Sequence, residues 1–168
     1  MSLISFLKEA GEKLFNHGQA ASTTAPTATV AAQPNVSELN ETAGAAIEKY
    51  IAAQGLSAED LDVKYDGSDQ SVSVSGIAPD QATKEKIVLC CGNVSSVAKV
   101  DDQLTVAASS EPESTYHTVK SGDTLSQIAK EVYGNANAYV QIFEANKPML
   151  SDPNKIYPGQ TLRIPPLS

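Results

Sequence analysis

A segment rich in Ala, Thr and Pro and without charged side chains interrupts the 168-residue chain at residues 17–36. It lacks the periodic apolar pattern of a core element, and its composition is typical of a flexible linker. Residues 107–114 form a second, shorter Ala/Ser/Glu/Pro joint. The two breaks exclude one large core. They predict two small modules, residues 37–106 and 115–168, behind an N-terminal segment of residues 1–16.

The charge of the chain is concentrated in the first of these modules. The sequence has 20 Asp and Glu against 12 Lys and Arg, and residues 37–106 hold 12 of the acidic and 5 of the basic side chains. Binding to a nucleic-acid backbone needs clustered Lys and Arg, so this balance argues against a nucleic-acid partner. No stretch approaches the roughly 18 apolar residues of a spanning helix, which argues against stable membrane insertion.

The N-terminal segment does not match the pattern of a secretory signal. Its apolar run ends at Leu7, where Lys8 and Glu9 follow, whereas a signal needs about 7–15 apolar residues. Helical spacing of the apolar residues instead predicts an amphipathic helix that stays on the mature protein. We therefore expect a cytoplasmic location. The alternative is a membrane-surface anchor, but the balanced charges of this helix offer anionic lipid little attraction.

The two cysteines, Cys90 and Cys91, are adjacent in an apolar stretch. Neighbouring residues on a helix cannot meet disulfide geometry without distortion. The pattern predicts reduced, buried thiols in preference to a redox or metal site.

Hydrophobic periodicity predicts the order α-β-β-α-β for the first module and β-α-α-β for the second, which together make an α+β fold. In the first module the elements are expected at residues 39–54, 61–65, 72–74, 79–91 and 97–106. In the second module Thr124 and Gln127 suit a capping box that begins a helix, and Gly134 suits its end.

Catalytic constellations are hard to find in the chain. Neither His17 nor His117 has a nucleophile to pair with, and no phosphate-binding loop or zinc spacing occurs. Asp101 and Asp102 are adjacent in a predicted strand, so their side chains point to opposite faces and suit neither shared acid–base work nor a divalent metal. We expect a protein that is not an enzyme.

Several stretches resemble known families. The element order, Gly76 and the closing residues 92–104 resemble a BON domain, and residues 116–129 with residues 156–165 resemble a LysM domain. The opening FLKEAGEKL and the stretch YGNAN…IFEANKPML extend the likeness over the whole chain. The chain resembles the bacterial cytoplasmic potassium-binding proteins of BON-LysM architecture.

A large, weakly hydrated cation is best held by neutral carbonyl oxygens, which become free where helices end. Gly11 interrupts the predicted N-terminal helix, and residues 92–97 end the second helix of the first module in a loop. From the residues alone, ordinary glycine-capped helix ends remain the alternative. The resemblance implies that these two segments together hold K⁺ through backbone carbonyls. The matching positions are Leu7, Ala10, Glu12, Gly92, Val94 and Val97.

The resemblance further implies a monomeric, non-catalytic potassium sensor whose shape changes on ion binding. The alternative is an envelope-associated protein that binds peptidoglycan through its N-acetylglucosamine-containing glycan. A purely structural role for the LysM-like module also remains open. The candidate glycan positions implied by the LysM resemblance are Gly122, Asp123, Thr124, Leu125, Asn146, Met149 and Leu150.

Overall fold

A computed structural model of the chain describes residues 35–108 and 112–167. The predicted helix at residues 1–16, and with it the positions Leu7, Ala10 and Glu12, lies outside the described residues, as does the predicted linker up to residue 34. The described residues form two modules, which we call the first module (35–108) and the second module (112–167). Each is a small α+β unit, so the predicted fold class is confirmed.

The first module has the predicted order α-β-β-α-β. Its elements are α1 (Val36–Ala53), β1 (Glu59–Asp66), β2 (Ser71–Asp80), α2 (Gln81–Gly92) and β3 (Lys99–Ala108). The central strand is β2, which pairs antiparallel with β1 and parallel with β3. Alternating strand residues and one side of each helix share a single apolar core, which includes Ile47, Val72, Val74 and Ile87. The sheet therefore buries one face under both helices.

The second module has the predicted order β-α-α-β with one addition. Its elements are β4 (Thr115–Thr118), α3 (Leu125–Tyr133), a 3₁₀ turn (Ala136–Ala138), α4 (Tyr139–Ala145) and β5 (Thr161–Ile164). Strands β4 and β5 pair antiparallel, and the helices cover a second apolar core. As predicted, Thr124 caps α3 and Gly134 ends it with a left-handed φ of 73°.

The start of α1 differs from the sequence prediction by three residues, because Asn35 and Glu38 form a capping box. Asn35 accepts a hydrogen bond from the Ser37 N–H, and the Glu38 carboxylate accepts one from the Asn35 N–H. These bonds satisfy donors that the first turn would leave free. The helix therefore begins at Val36 and not at Leu39.

The bounds of β3 also differ from the prediction of residues 97–106. Before the strand begins, the Val97 N–H donates to the Val94 carbonyl and the Ala98 N–H donates to the Gln70 carbonyl. These turn bonds delay the strand to Lys99, and it continues to Ala108, into the joint predicted at residues 107–114.

Cys90 and Cys91 are free thiols on α2 and both are fully buried, as predicted. Burial raises the pKa of each thiol to about 12. Since the thiolate is the reactive form, both side chains serve as core residues in this structure.

Two glycines allow backbone segments to approach closely. A Cβ added to Gly44 of α1 would lie 2.4 Å from the Val63 carbonyl oxygen of β1. Gly76 lies within β2 with a φ of 140°, and a Cβ there would lie 2.9 Å from the Glu59 carbonyl oxygen. The packing of α1 on the sheet thus depends on the missing side chain at residue 44.

We predict that Gly44→Ala destabilises the first module, although glycine to alanine within a helix ordinarily stabilises it. The clash with the Val63 backbone should lower the free energy of unfolding by about 1–3 kcal/mol. The matched control is Gly92→Ala at the end of α2, where the added Cβ meets only Val100 Cγ2 at 3.6 Å. Urea unfolding should show a neutral or stabilising effect for the control. Equal effects of the same sign would contradict this account.

Candidate functional site

The loop at residues 92–97 consists of two successive turns that follow α2. The Val94 N–H donates to the Cys91 carbonyl at 3.3 Å, and the Val97 N–H donates to the Val94 carbonyl at 2.9 Å. The Tyr65 hydroxyl donates to the Ser96 carbonyl at 3.2 Å and so ties the loop to β1. The loop is therefore held in a fixed path by backbone bonds and one side chain.

Three carbonyls of this loop differ in their bonding. Within the part of the chain that the structure describes, the carbonyls of Gly92 and Val97 accept no hydrogen bond, and that of Val94 accepts one. A carbonyl oxygen has two lone pairs, so Val94 retains one for another partner. Each of the three predicted positions of the first module therefore has at least one carbonyl lone pair without a hydrogen bond from the described residues.

A cavity and the end of α2 adjoin this loop. Gly92 and Val97 line a common cavity of about 220 Å³, which also contacts Tyr116 and Thr161 of the second module. The last turn of α2 contains no basic residue, so no side chain of that turn offsets the partial negative charge of the helix end.

Side chains offer no alternative metal site within residues 35–108 and 112–167. No group of three or more His, Cys, Asp and Glu side chains converges there. Asp102 accepts a hydrogen bond from the Leu104 N–H and lies 3.2 Å from the Lys84 ammonium, while Asp101 accepts one from Gln103. The adjacent carboxylates therefore have separate, local partners.

The modules contact each other through a buried ion pair between α2 and β5. The Arg163 guanidinium donates to the Glu85 carboxylate, and the two residues are only 6% and 3% exposed. The Ser114 N–H and the Gln81 amide each donate to the same carboxylate at 2.8 Å. Burial raises the pKa of Glu85, but these hydrogen bonds outweigh burial and lower the pKa below its ordinary value. Glu85 therefore remains ionised and holds Arg163 against the first module.

An apolar contact and an amide contact flank this pair. Met149 of the second module is buried in the core of the first, where its Sδ lies 3.2 Å from the Cys90 Sγ. The side-chain amide of Asn93 forms two hydrogen bonds with the backbone of Thr161. The second module is thus docked on the end of α2 from which the carbonyl loop starts.

A separate groove of about 300 Å³ lies in the second module, between the loop that precedes α3 and the loop that precedes β5. Three of the predicted glycan positions line it together with five residues that the sequence analysis missed. The lining residues are Asp123, Thr124, Leu125, Ser126, Tyr139, Pro153, Asn154 and Ile156. The stretch Asp152-Pro153-Asn154 is the sequence feature that could have indicated this side of the groove. It has the composition of a turn, and the Asn154 N–H donates to the Asp152 carboxylate there.

The other predicted glycan positions lie outside the lining of this groove. Asn146 and Leu150 are buried, and the Asn146 amide donates to the carbonyls of Ile142 and Arg163. Met149 packs into the first module, as described above. Gly122 precedes the groove with a left-handed φ of 91°.

These contacts define a two-module protein in which a BON-type unit and a LysM-type unit pack against each other. The sequence model of the BON domain matches residues 39–108, and that of the LysM domain matches residues 117–165. Among the described residues, the structure contains no helix of the length and apolarity needed to span a membrane.

The chain is 42% identical to potassium binding protein Kbp from Escherichia coli O6:H1 over 165 residues, which covers 98% of this chain and 99% of that protein. It belongs to the family of that protein. A shorter match, 49% identical over 51 residues, links it to an uncharacterized protein of Deinococcus radiodurans, covering 30% of this chain and 19% of that protein. LysM domain-containing GPI-anchored protein 2 from Arabidopsis thaliana is 33% identical over 89 residues, covering 53% of this chain and 21% of that protein.

We predict that Arg163→Met lowers the free energy of unfolding by about 3–5 kcal/mol, because it leaves the Glu85 carboxylate buried without its cation. The matched control is Lys64→Met. It removes an ion pair with Asp62 whose side chains are 77% and 52% exposed, and it should cost less than about 1 kcal/mol.

The effect of Arg163→Met should depend on pH. The folded pKa of Glu85 is lowered, so the stability it contributes is present above its unfolded pKa and is lost as the pH falls through the folded value. The difference between wild type and variant should therefore shrink in urea titrations as the pH falls below 4.5, the ordinary pKa of a Glu carboxyl, and through the lowered folded value. A difference that stays constant over this range would contradict the assignment.

Proposed function

We propose that this protein is a non-catalytic, monomeric potassium-binding protein of the cytoplasm. The proposal depends on the loop at residues 92–97, in which carbonyl oxygens and not carboxylates are available to an ion. It is supported by the family relationship to a protein named for potassium binding. The ion is the cargo of the protein and takes no part in any reaction.

The chemistry of the loop suits K⁺ better than a divalent ion. A shell of neutral carbonyls can replace the water of a large monovalent cation, whereas Ca²⁺ and Mg²⁺ favour sites that include carboxylates. The Gly92 and Val97 carbonyls have no hydrogen-bond partner in the described part of the chain, so an ion displaces no protein bond there. The acidic first module attracts cations in general without selecting among them.

The loop supplies half of the proposed shell. We propose that Leu7, Ala10 and Glu12 supply the remaining carbonyls when the N-terminal segment meets the loop. A chain of the length of residues 17–34 reaches several tens of ångströms when extended, which gives the N-terminal segment a wide range of approach. Ion binding then orders two segments against each other, so it offsets their loss of entropy and makes the chain more compact.

Calorimetric titration of the full chain should show binding of K⁺ with little or no response to Na⁺. Deletion of residues 1–16 should abolish the K⁺ response while circular dichroism of the two modules is retained. Binding to the deletion variant at wild-type affinity would contradict a shared shell. An equal response of the full chain to Na⁺ would contradict the proposed function.

A matched pair of proline variants tests the loop itself. Val97→Pro removes the N–H that donates to Val94 and so displaces a carbonyl of the proposed site. It should weaken K⁺ binding by roughly tenfold or more, which corresponds to the free energy of about one hydrogen bond. Ser95→Pro places proline at the second position of the same turn, where it is favoured, and should retain the affinity. Equal affinities of the two variants for K⁺ would show that the turn does not form the site.

The open groove of the second module supports a second candidate function, the binding of an N-acetylglucosamine-containing glycan. Its walls combine polar groups with the apolar surfaces of Leu125, Pro153 and Ile156, a mixture that suits a sugar. The groove is separate from the interface with the first module, so docking of the modules leaves it accessible.

For this candidate we expect measurable binding of an N-acetylglucosamine oligomer by calorimetry. Asn154→Ala removes an exposed polar group from the groove and should weaken binding roughly fivefold, the value of about one hydrogen bond. Asn137→Ala is the matched control, since this exposed asparagine of the same module lies outside the groove lining. Absence of binding to the wild-type chain would leave the second module with a structural role only.

A further inference from the structure

Asn93 joins the candidate potassium loop to the second module through its side chain. Its Oδ1 accepts a hydrogen bond from the Thr161 N–H at 2.9 Å, and its Nδ2 donates to the Thr161 carbonyl at 3.1 Å. A side-chain amide carries the same donor and acceptor as a peptide group. Asn93 therefore pairs with the edge of β5 as one residue of a neighbouring strand would.

The same edge of β5 shows the pattern a second time. The Asn146 amide accepts from the Arg163 N–H at 2.8 Å and donates to the Arg163 carbonyl at 2.8 Å. Thr161 and Arg163 are alternate residues of a strand whose other edge pairs with β4. The outer edge of β5 is thus closed by two asparagines, one from each module, and Asn93 is the one that crosses between modules.

The backbone of Asn93 lies between two of the proposed ion-binding carbonyls, those of Gly92 and Val94. Its own N–H donates to the Leu89 carbonyl at 3.1 Å, so the residue is fixed to α2 on one side and to β5 on the other. Thr161 also lines the cavity that contains Gly92 and Val97. A shift of the second module would therefore move the peptide groups that carry these carbonyls.

We propose that Asn93 is a positioning residue of the potassium site, through which docking of the second module sets the affinity of the first module for K⁺. This inference rests on the function proposed above. Asn93 does not contact the ion through its side chain; it fixes the stretch of backbone that carries the Gly92 and Val94 carbonyls to β5. Coupling between two events is reciprocal, so K⁺ binding must tighten the pairing of Asn93 with Thr161 by the same factor.

Two variants of Asn93 separate positioning from simple electrostatics. Asn93→Ala removes both hydrogen bonds to Thr161. Asn93→Asp retains the acceptor for the Thr161 N–H but places a carboxylate oxygen against the Thr161 carbonyl, while it adds a negative charge beside the ion. A positioning role predicts that both variants bind K⁺ more weakly, whereas attraction by charge predicts that the aspartate variant binds more tightly.

The experiment is calorimetric titration of K⁺ into the full chain and its variants, combined with hydrogen exchange at the Thr161 amide in K⁺ and in Na⁺. We expect both variants to lose roughly 5- to 150-fold in K⁺ affinity, the usual range of coupling between sites. Asn40→Ala is the matched control. It removes an asparagine whose hydrogen bond, from the Gly67 N–H at 3.2 Å, lies within the first module and does not cross to the second, and it should stay within about twofold of wild type.

In the wild-type chain, K⁺ should slow exchange at the Thr161 amide relative to Na⁺, and this effect should vanish in Asn93→Ala. Wild-type K⁺ affinity in both Asn93 variants, or exchange at Thr161 that does not respond to K⁺, would overturn the inference and leave the proposed potassium function standing. Failure of the wild-type chain to bind K⁺ would overturn both.

Discussion

The buried pair of Glu85 and Arg163 is the contact on which the relation between the two modules depends. A carboxylate and a guanidinium removed from water are costly unless each is fully hydrogen-bonded. Here the second carboxylate oxygen accepts from the Ser114 N–H and the Gln81 amide. The Glu85 carboxylate therefore joins three elements, namely α2 of the first module, β5 of the second module and the joint between the modules. A displacement of either module would leave buried charge unsatisfied, which disfavours other docked arrangements.

Much of the fold was predictable from the sequence, because hydrophobic periodicity and turn chemistry are local properties. The element order of both modules, the end of α3 at Gly134 and the burial of Cys90 and Cys91 all followed from short stretches of residues. The exact bounds of the elements were less predictable, and those of α1 and β3 were set by hydrogen bonds of the flanking residues. Those of β3 depend on Gln70, almost thirty residues earlier in the chain, a contact that no local pattern contains.

The candidate site was harder to predict, for a physical reason. A shell of backbone carbonyls requires a path of the chain and not particular side chains, so the residues at Val94 and Val97 carry little information about it. Gly11 and Gly92 gave the only signals in the sequence, and the resemblance supplied the rest. The contacts between modules were not predicted at all. No local pattern marks Asn93 or Met149 as a contact between modules, because their partners lie far away along the chain.

The insertion of Met149 into the core of the first module has a consequence for how the chain can be divided. In sequence the two modules are divided at the joint. The hydrophobic core of the first module nevertheless includes a side chain of the second, since Met149 packs beside Cys90. A fragment of the first module alone would have an open cavity beside the Cys90 thiol, where Met149 packs in the full chain. Its Glu85 carboxylate would lack the Arg163 guanidinium. Such a fragment would be prone to oxidation and self-association. An exchange of either module would therefore have to restore the contacts that Met149 and Arg163 make across the interface.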